Sequence, residues 1–434
     1  ATSACNGGAI QNRQLQPKNL SVCSPHTARA GNCLLSGTSW LRLDSKANNM
    51  TMLYLSPFFH ANLQYAEFPP EAVPEMVERS YLPTLEYFAA HPELPAVFEY
   101  SGVTLELIAE CWPRAIDLLQ RLMERGQIEL MGSTYANPIL PLVPTDHARL
   151  HLQEFWRTYG RLFGRSSVAR PSGIFLQEFA YDPGLAPLLT AVGYRYTVLT
   201  PHLLLPALHR ELNVGLKPQP KDEPTLATSA YELLHPVEML GAQGTRLTAF
   251  PLYRELIGLM FDTIYGRKPF ADLAGLLETA ASKSGERPSF LFFGPSDAEF
   301  IGAYAQLGKE SLSPEAIGDL LLRLDELPFV RLGLPRRYLE KYPPATQVYV
   351  PAGSSERALS LWTADPDNER LNALCAEAAQ KLRLATVLDA DWPLLEQAWR
   401  AMLLAENSDG RGWMPRPERR LECYDQALQA IALA

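Results

Sequence analysis

The sequence of 434 residues predicts an α/β fold, a (β/α) barrel followed by a C-terminal α-helical domain. Short apolar runs alternate with amphipathic helical patterns from residue 51 onward, which is typical of a parallel sheet covered by helices. The alternation continues for about 300 residues, a length that fits a barrel better than an open sheet. After residue 341 the pattern becomes helical, with helices predicted at 368–382, 392–405 and 419–432.

These patterns divide the chain into three parts. Residues 1–49 are rich in Ser, Asn and Gly and show no sustained period, so we expect an irregular N-terminal extension. Residues 50–341 form the predicted barrel, and residues 342–434 the predicted helical domain. Within the barrel, residues 203–246 carry several prolines and few clear periods, which indicates a long insertion.

The elements of the barrel follow from local signals. Residues 112–125 place apolar side chains at i, i+3, i+4 and i+7, and Gly126 stands where a helix ends in the left-handed conformation. Ser313 followed by Pro314 predicts a helix start, with serine as the N-cap. The predicted strands are 52–56, 127–131, 173–177, 194–199, 289–293 and 329–332, and a further short helix is predicted at 183–192.

The net charge of −9 argues against non-specific binding to nucleic acid or to an anionic membrane, because both need a basic surface. No apolar run approaches the roughly 20 residues that a membrane helix needs. The N-terminus lacks the apolar core of a signal peptide, so we expect a cytoplasmic protein. The sequence leaves a homo-oligomer open.

Two carboxylates follow apolar strands directly. Glu178 ends the run at 173–177, and Asp297, with Glu299 two residues later, follows the run at 289–293. Catalytic groups of parallel α/β folds stand at such strand ends. The structural alternatives are a first-turn glutamate favoured by the helix dipole and a solvated loop with an Asx turn at Asp297. Paired carboxylates at strand ends are also what glycoside hydrolysis needs, one as nucleophile and the other as general acid and base.

Five segments in order carry a resemblance to a known family, glycoside hydrolase family 57. They are FHANLQY at 59–65, GSTYANPILPL at 132–142, GIFLQEFAYDP at 173–183, DAE at 297–299 and ENSDGRGW at 406–413. The resemblance implies a seven-stranded, incomplete TIM-like barrel, a helical C-terminal domain, retention of anomeric configuration and no metal or other cofactor. It implies that Glu178 is the nucleophile and Asp297 the general acid/base. The residues expected to bind the sugar are His60, Asn62, Gln64, Tyr135, Asn137, Glu299, Trp362, Asp409 and Trp413.

Within the family, residues 60–69 most resemble the α-galactosidase-like branch, so we expect a retaining α-glycosidase that acts on an α-galactoside-type oligosaccharide or polysaccharide. Two positions depart from the family pattern. Asn137 stands where histidine is usual, and Gln177 stands where proline usually precedes the nucleophile. These departures leave an altered sugar subsite or a non-catalytic carbohydrate-binding homologue as alternatives.

Two further enzymatic alternatives stay open. One is an α-1,4-glucan transferase or amylase of the same family. The other is a metal-dependent polysaccharide deacetylase, because His147 and His151 have the i, i+4 spacing of a metal-binding pair. The chain contains no adjacent Asp-Asp pair to complete such a site, so the expected reading of the two histidines is the start of a surface helix.

Overall fold

Parallel strands form two sheets in the computed structural model, which describes residues 51–164, 170–209, 225–229, 231–355, 358–388 and 392–434. The extension expected at 1–49 lies outside these residues. The strands are β1 Leu53–Ala61, β2 Ala96–Tyr100, β3 Ile128–Met131, β4 Gly173–Ile174, β5 Tyr196–Leu199, β6 Val237–Leu240, β7 Arg246–Pro251, β8 Ser289–Asp297, β9 Val330–Leu332 and β10 Gln347–Val348.

Helices follow most of the strands and continue beyond the last one. Their bounds are α1 Val73–Met76, α2 Leu82–Ala90, α3 Gly102–Cys111, α4 Pro113–Glu124, α5 Thr145–Phe163, α6 Leu185–Ala191, α7 Pro201–Leu208, α8 Arg254–Ile264, α9 Phe270–Lys283, α10 Pro314–Asp325, α11 Pro335–Lys341, α12 Pro366–Val387, α13 Trp392–Ala405 and α14 Pro417–Leu433. Among the described residues, no helix is both long and apolar enough to pass through a bilayer.

The first sheet runs in the order β3-β2-β1-β8, with all of its pairs parallel. Strand β9 pairs with the first three residues of β1. The second sheet runs β10-β6-β7-β5-β4, and only β6 is antiparallel to its neighbour β7. A parallel bridge from Gly132, just after β3, to Ile174 of β4 joins the two sheets.

Seven parallel strands therefore follow one another as β8-β1-β2-β3-β4-β5-β7, an incomplete (β/α)7 barrel with a helical C-terminal region. Strands β7 and β8 lie in contact but form no ladder in the described part of the chain. The predicted fold class is confirmed. Glycine is required where the two sheets join, because a Cβ on Gly132 would lie 2.3 Å from the ring of Tyr194 and one on Gly173 would lie 2.2 Å from that of Tyr196.

Local signals located six of the ten described strands, although the strand predicted at 173–177 forms only at Gly173–Ile174. The N-cap at Ser313 accepts a hydrogen bond from the amide of Ala316, and Gly126 has a φ of 64°. Helix α13 has the predicted bounds, and the strand at β1 extends five residues beyond its predicted end. Strand β2 had no prediction, and β6 lies inside the expected insertion at 203–246. Residues 210–224 of that insertion lie outside the described part.

The helices α12, α13 and α14 pack on one another through small and apolar side chains such as Ala378, Leu382 and Met402. The loop after α13 returns to the barrel, where Pro138 and Asn407 form an antiparallel bridge. Residues 51–434 are one compact unit by their contacts, and the domain boundary at 341/342 stays a prediction.

Candidate active site

Glu178 stands in a strained turn four residues beyond the end of β4. Its backbone has φ 57° and ψ 23°, and the next residue, Phe179, has φ 53°. Left-handed conformations of non-glycine residues cost roughly 1–3 kcal/mol and persist only where neighbouring contacts hold them. Here the amide of Ser355 donates to the carbonyl oxygen of Glu178 at 2.8 Å, and Tyr181 and Gly353 exchange two backbone hydrogen bonds of 2.9 Å. The segment after β10 therefore holds the turn in place.

Two side chains donate hydrogen bonds to the Glu178 carboxylate. The Ser355 hydroxyl lies 3.3 Å from Oε2, and the indole N–H of Trp413 is the second donor. Burial among protein atoms, together with the charges of Asp409 and Asp297, raises the pKa of Glu178 to about 8, although the two donors oppose the rise. The carboxylates of Glu178, Asp297 and Asp409 therefore lie close enough to interact.

Asp297 is the last residue of β8, the strand that pairs with β1. Its register partner on β1 is His60. The hydroxyl of Tyr65 donates to its Oδ2 at 2.9 Å. Burial raises the pKa of Asp297, while the positive charge of His60 and the hydrogen bond from Tyr65 oppose the rise.

His60 lies between two acidic residues in the sheet, because its other register partner, in β2, is Glu99. Its Nδ1 is hydrogen-bonded to the Glu99 carboxylate, and both side chains are buried. Burial disfavours the charged imidazole, but the charge and hydrogen bond of Glu99 prevail and raise the pKa of His60 to about 10. An imidazolium at neutral pH therefore faces Asp297.

Glu299 is fully buried beneath this pair. Its Oε1 accepts from the amide of Asn62 at 2.9 Å and from the hydroxyl of Tyr81. Its Oε2 has no hydrogen-bond partner among the described residues. Burial and the charge of Asp297 raise the pKa of Glu299 to about 7.

The loop after α13 completes the site. The amide nitrogen Nδ2 of Asn62 donates to Oδ2 of Asp409 at 2.8 Å, and the backbone amide of Ala66 donates to Oδ1 at 3.1 Å. Asn407 donates to Oε1 of Gln64 at 2.8 Å. Side-chain hydrogen bonds thus join the segment after β1 to this loop. The structure brings together Glu178, Asp297, His60, Asn62, Gln64, Glu299, Asp409 and Trp413.

Asn137 borders this group through its backbone. Its carbonyl oxygen accepts from the amide of Ser408 at 3.1 Å, and its φ is 51°. The side chain is buried, and its Nδ2 has no partner within the described ranges. The backbone at this position therefore supports the loop that carries Asp409.

Two residues expected to bind sugar have their side chains engaged in contacts within the protein. The hydroxyl of Tyr135 donates to Glu106 at 3.0 Å and accepts from Arg400 at 2.6 Å, so it ties α3 to α13. Trp362 is 1% exposed and packs against Ile139 and Ala180. Its ring therefore offers no face for stacking against a sugar, and neither residue is proposed below as a substrate contact.

The two histidines of α5 are buried rather than on a surface helix. His147 Nδ1 lies 2.6 Å from one carboxylate oxygen of Glu406, and His151 Nε2 lies 3.1 Å from the other. Although burial opposes it, these hydrogen bonds lower the pKa of Glu406 to about 2. The two histidines thus bind the carboxylate of Glu406, the residue at which the loop that carries Asp409 begins. No cluster of three or more metal-ligating side chains suited to a metal ion occurs in the described segments.

Sequence analysis did not identify Ser355, Tyr65, Tyr81 and Glu99 as parts of this arrangement. Glu99 carried a signal, since it stands near the end of a short apolar run, and Tyr65 lies inside a recognised segment. Ser355 carried none, because 177 residues separate it from Glu178.

A model of one protein family, Glycosyl hydrolase family 57, matches residues 44–351. Alpha-amylase 1 of Dictyoglomus thermophilum is 24% identical over 332 residues, which cover 75% of this chain and 43% of the relative. The 4-alpha-glucanotransferase of Thermococcus litoralis is 26% identical over 280 residues, which cover 64% of this chain and 38% of the relative. The chain thus spans less than half the length of these relatives.

Two solved structures have a fold similar to that of this chain. A GH57 branching enzyme from Thermococcus kodakaraensis superposes with a TM-score of 0.66 at 16% identity, covering 88% of each chain. The 4-alpha-glucanotransferase from Thermococcus litoralis superposes with a TM-score of 0.63 at 20% identity, covering 88% of this chain and 60% of the other.

Proposed function

Because the chain belongs to glycosyl hydrolase family 57, we propose that it is a retaining enzyme that cleaves α-glucans and passes the glycosyl unit to water or to another sugar. The relatives named above are an amylase, a glucanotransferase and a branching enzyme, and these names favour an α-glucan over the α-galactoside expected from residues 60–69. The α-galactoside specificity has no support among them and is kept as one arm of the test.

The observation that carries this proposal is the pairing of Glu178 with Asp297. Glu178 stands four residues beyond β4 and Asp297 is the last residue of β8, and the charge of Asp297 contributes to the raised pKa of Glu178. A nearby negative charge disfavours the ionised form of a carboxyl group, so Asp297 adds to the effect of burial in keeping the proton on Glu178. A retaining glycosidase needs one of the pair ionised and the other protonated at the same time.

In the proposed reaction, Asp297 donates its proton to the glycosidic oxygen while a Glu178 oxygen attacks the anomeric carbon. The bond to the leaving sugar breaks, and a β-linked glycosyl-enzyme forms. Asp297, now ionised, removes a proton from water or from a sugar hydroxyl, which attacks the same carbon and releases Glu178. The imidazolium of His60 stabilises the ionised Asp297 of the second step, because it lies on the adjacent strand position.

Asn62 and Asp409 are proposed to bind the sugar that is attacked. Asp409 is the largest of the charges that raise the pKa of Glu178, the proposed nucleophile, and this supports the assignment. Trp413, 47% exposed and hydrogen-bonded to Glu178, is the aromatic residue that could cover this sugar. Gln64 supports the site through Asn407.

The test is incubation of the protein with maltoheptaose, and separately with 4-nitrophenyl α-glucoside and α-galactoside, with and without a chelator. A hydrolase yields shorter maltooligosaccharides and new reducing ends, whereas a transferase yields longer and shorter products together. Proton NMR of the first product should show the α-anomer. Formation of the β-anomer contradicts retention. Preference for the galactoside restores the α-galactosidase reading, and loss of cleavage with chelator contradicts a mechanism that uses the two carboxylates alone.

The same samples distinguish a non-catalytic carbohydrate-binding homologue from an active enzyme. Such a protein binds maltoheptaose in a calorimeter but releases no product. The Glu178→Gln variant provides the comparison, because it is expected to bind the oligosaccharide without cleaving it.

A further inference from the structure

Two tyrosines form a hydrogen-bonded chain that ends on Asp297. The hydroxyl of Tyr65 donates to Oδ2 of Asp297 at 2.9 Å and lies 3.0 Å from the hydroxyl of Tyr304. A phenol has one proton to donate. Since Tyr65 donates that proton to the carboxylate, the contact between the two phenols must be donated by Tyr304. The direction of the chain is therefore Tyr304 to Tyr65 to Asp297.

The surroundings hold both rings in this arrangement. Tyr65, Phe68 and Tyr304 form a triangle of ring contacts with centroids 5.8–6.3 Å apart. Phe300 packs on Tyr304 from the other side, with centroids 4.6 Å apart. Tyr304 is buried. The hydroxyl groups are therefore placed by packing of the rings rather than by the hydrogen bonds alone.

The charges around the chain also fit a donor role. Burial, and then the charge of Asp297, raises the pKa of Tyr65, and burial raises that of Tyr304. Both phenols therefore stay protonated and remain donors. Lys309 Nζ lies 5.0 Å from the ring centroid of Tyr304 and is paired with Glu67. The titratable and charged groups that face Asp297 or the two phenols are His60, Glu67, Glu178, Glu299 and Lys309.

We propose that Tyr65 is a positioning residue that orients Asp297 and stabilises its ionised form, and that Tyr304 strengthens this effect by donating to Tyr65. Hydrogen-bonded chains polarise their members, so the outer phenol increases the strength of the inner bond. A donor to the carboxylate favours the charged form of an acid. Asp297 consequently gives its proton to the leaving oxygen more readily than it would if burial acted alone. This inference rests on the proposed role of Asp297 as general acid.

The titration of Asp297 can be measured directly by carbon-13 NMR on protein labelled at the aspartate carboxyl carbons. The signal of Asp297 is identified as the one that Asp297→Asn removes. We expect its titration midpoint to move to higher pH in Tyr65→Phe, and to move in the same direction by less in Tyr304→Phe. The matched control is Tyr338→Phe, which removes another buried tyrosine hydroxyl, one that donates to the carbonyl oxygen of Pro288 at 2.6 Å. It should leave the midpoint unchanged.

Activity supplies the second readout. A weaker acid loses most with leaving groups that need protonation, so Tyr65→Phe should lower kcat/KM for phenyl α-glucoside about tenfold and lower that for 2,4-dinitrophenyl α-glucoside less. A general loss of stability would lower both equally. If Tyr65→Phe does not fold, Tyr304→Phe carries the test, because it leaves Tyr65 in place.

An unchanged Asp297 midpoint in both variants overturns the inference, as does a midpoint that moves to lower pH. The proposed function fails by a different result. If Asp297→Ala retains full turnover of maltoheptaose, Asp297 is not the general acid, whatever the NMR titration shows.

Discussion

Ser355 contacts Glu178 twice, through its backbone amide to the Glu178 carbonyl oxygen at 2.8 Å and through its hydroxyl to the Glu178 carboxylate at 3.3 Å. The first contact supports a left-handed backbone, and the second orients the side chain that the backbone carries. One residue thereby controls both the position of the proposed nucleophile and the direction of its carboxylate.

Replacing Ser355 by alanine should lower kcat about tenfold with little change in KM. The variant keeps the amide contact and loses one hydrogen bond to a charged group, a loss that acts on the reacting carboxylate more than on substrate binding. Steady-state kinetics on 4-nitrophenyl α-glucoside measure the split. Ser355→Thr, which keeps a hydroxyl, should recover part of kcat. The control Ser284→Ala removes the hydroxyl of another buried serine, which donates to Ala280 at 2.9 Å, and should match the wild type. A change confined to KM would contradict the orienting role.

Replacing Glu178 by alanine should reduce turnover at least about a thousandfold, and azide should restore part of it. A small anion can enter the vacated space and attack the anomeric carbon from the face that the carboxylate used. The product is then a β-glycosyl azide, which mass spectrometry and proton NMR identify. Wild-type protein with azide is the control. Full activity of Glu178→Ala without azide would remove the proposed mechanism.

Replacing Asp297 by alanine should have a different signature. Turnover of maltoheptaose should fall by about 10²–10⁴, because its leaving group must be protonated. The first step with 2,4-dinitrophenyl α-glucoside needs little protonation and should stay fast, while the second step lacks its base. Stopped-flow absorbance should therefore record a burst of phenolate. Equal losses on both substrates, without a burst, would show that Asp297 is not the acid and base.

The raised pKa of Glu178 predicts a dependence of stability on pH. The pKa is about 8 in the folded protein against an ordinary 4.5, mainly because burial disfavours the charged form. Between these values the folded state binds more protons than the unfolded state, so stability falls as pH rises. Glu178→Gln lacks this penalty. Its melting temperature should exceed that of the wild type by a few degrees at pH of about 8–9 and approach it near pH of about 4.

Differential scanning calorimetry across this pH range checks that prediction. The control Glu278→Gln neutralises an exposed glutamate in the middle of α9 and should follow the wild-type curve. The ion pair of His60 and Glu99 is present in all three proteins. A Glu178→Gln variant that is less stable than the wild type at alkaline pH would show that the carboxylate is better accommodated than its surroundings indicate.

The local sequence was sufficient to locate six of the ten described strands, the C-terminal helices and the two central carboxylates. An apolar run that ends in an acidic residue determines both a strand and the position of its terminal side chain, as at Asp297. The cap at Ser313 and the helix at 392–405 depend on residues within one or two turns of each other. Five short segments in order were enough to identify the family, which the match over residues 44–351 confirms.

The sequence alone could not determine which residues of intermediate polarity would direct their side chains toward the site. Tyr135 and Trp362 were both expected to bind sugar, but the approach of α13 joins Tyr135 to Arg400, and Ile139 and Ala180 enclose Trp362. The i, i+4 spacing of His147 and His151 was read correctly as one helix face. Only the approach of Glu406, more than 250 residues away in sequence, showed that this face is buried.

By itself, therefore, the sequence determined the alternation of strands and helices, the family, and the strand ends that carry Glu178 and Asp297. The tertiary structure decided what surrounds them: Ser355 and Trp413 on Glu178, Tyr65 and His60 on Asp297, and Asn62 on Asp409. The physical reason is the range of the interactions. Periodicity and capping act between neighbours along the chain, whereas hydrogen bonds across 177 to 347 residues exist only after the barrel and the C-terminal helices have packed.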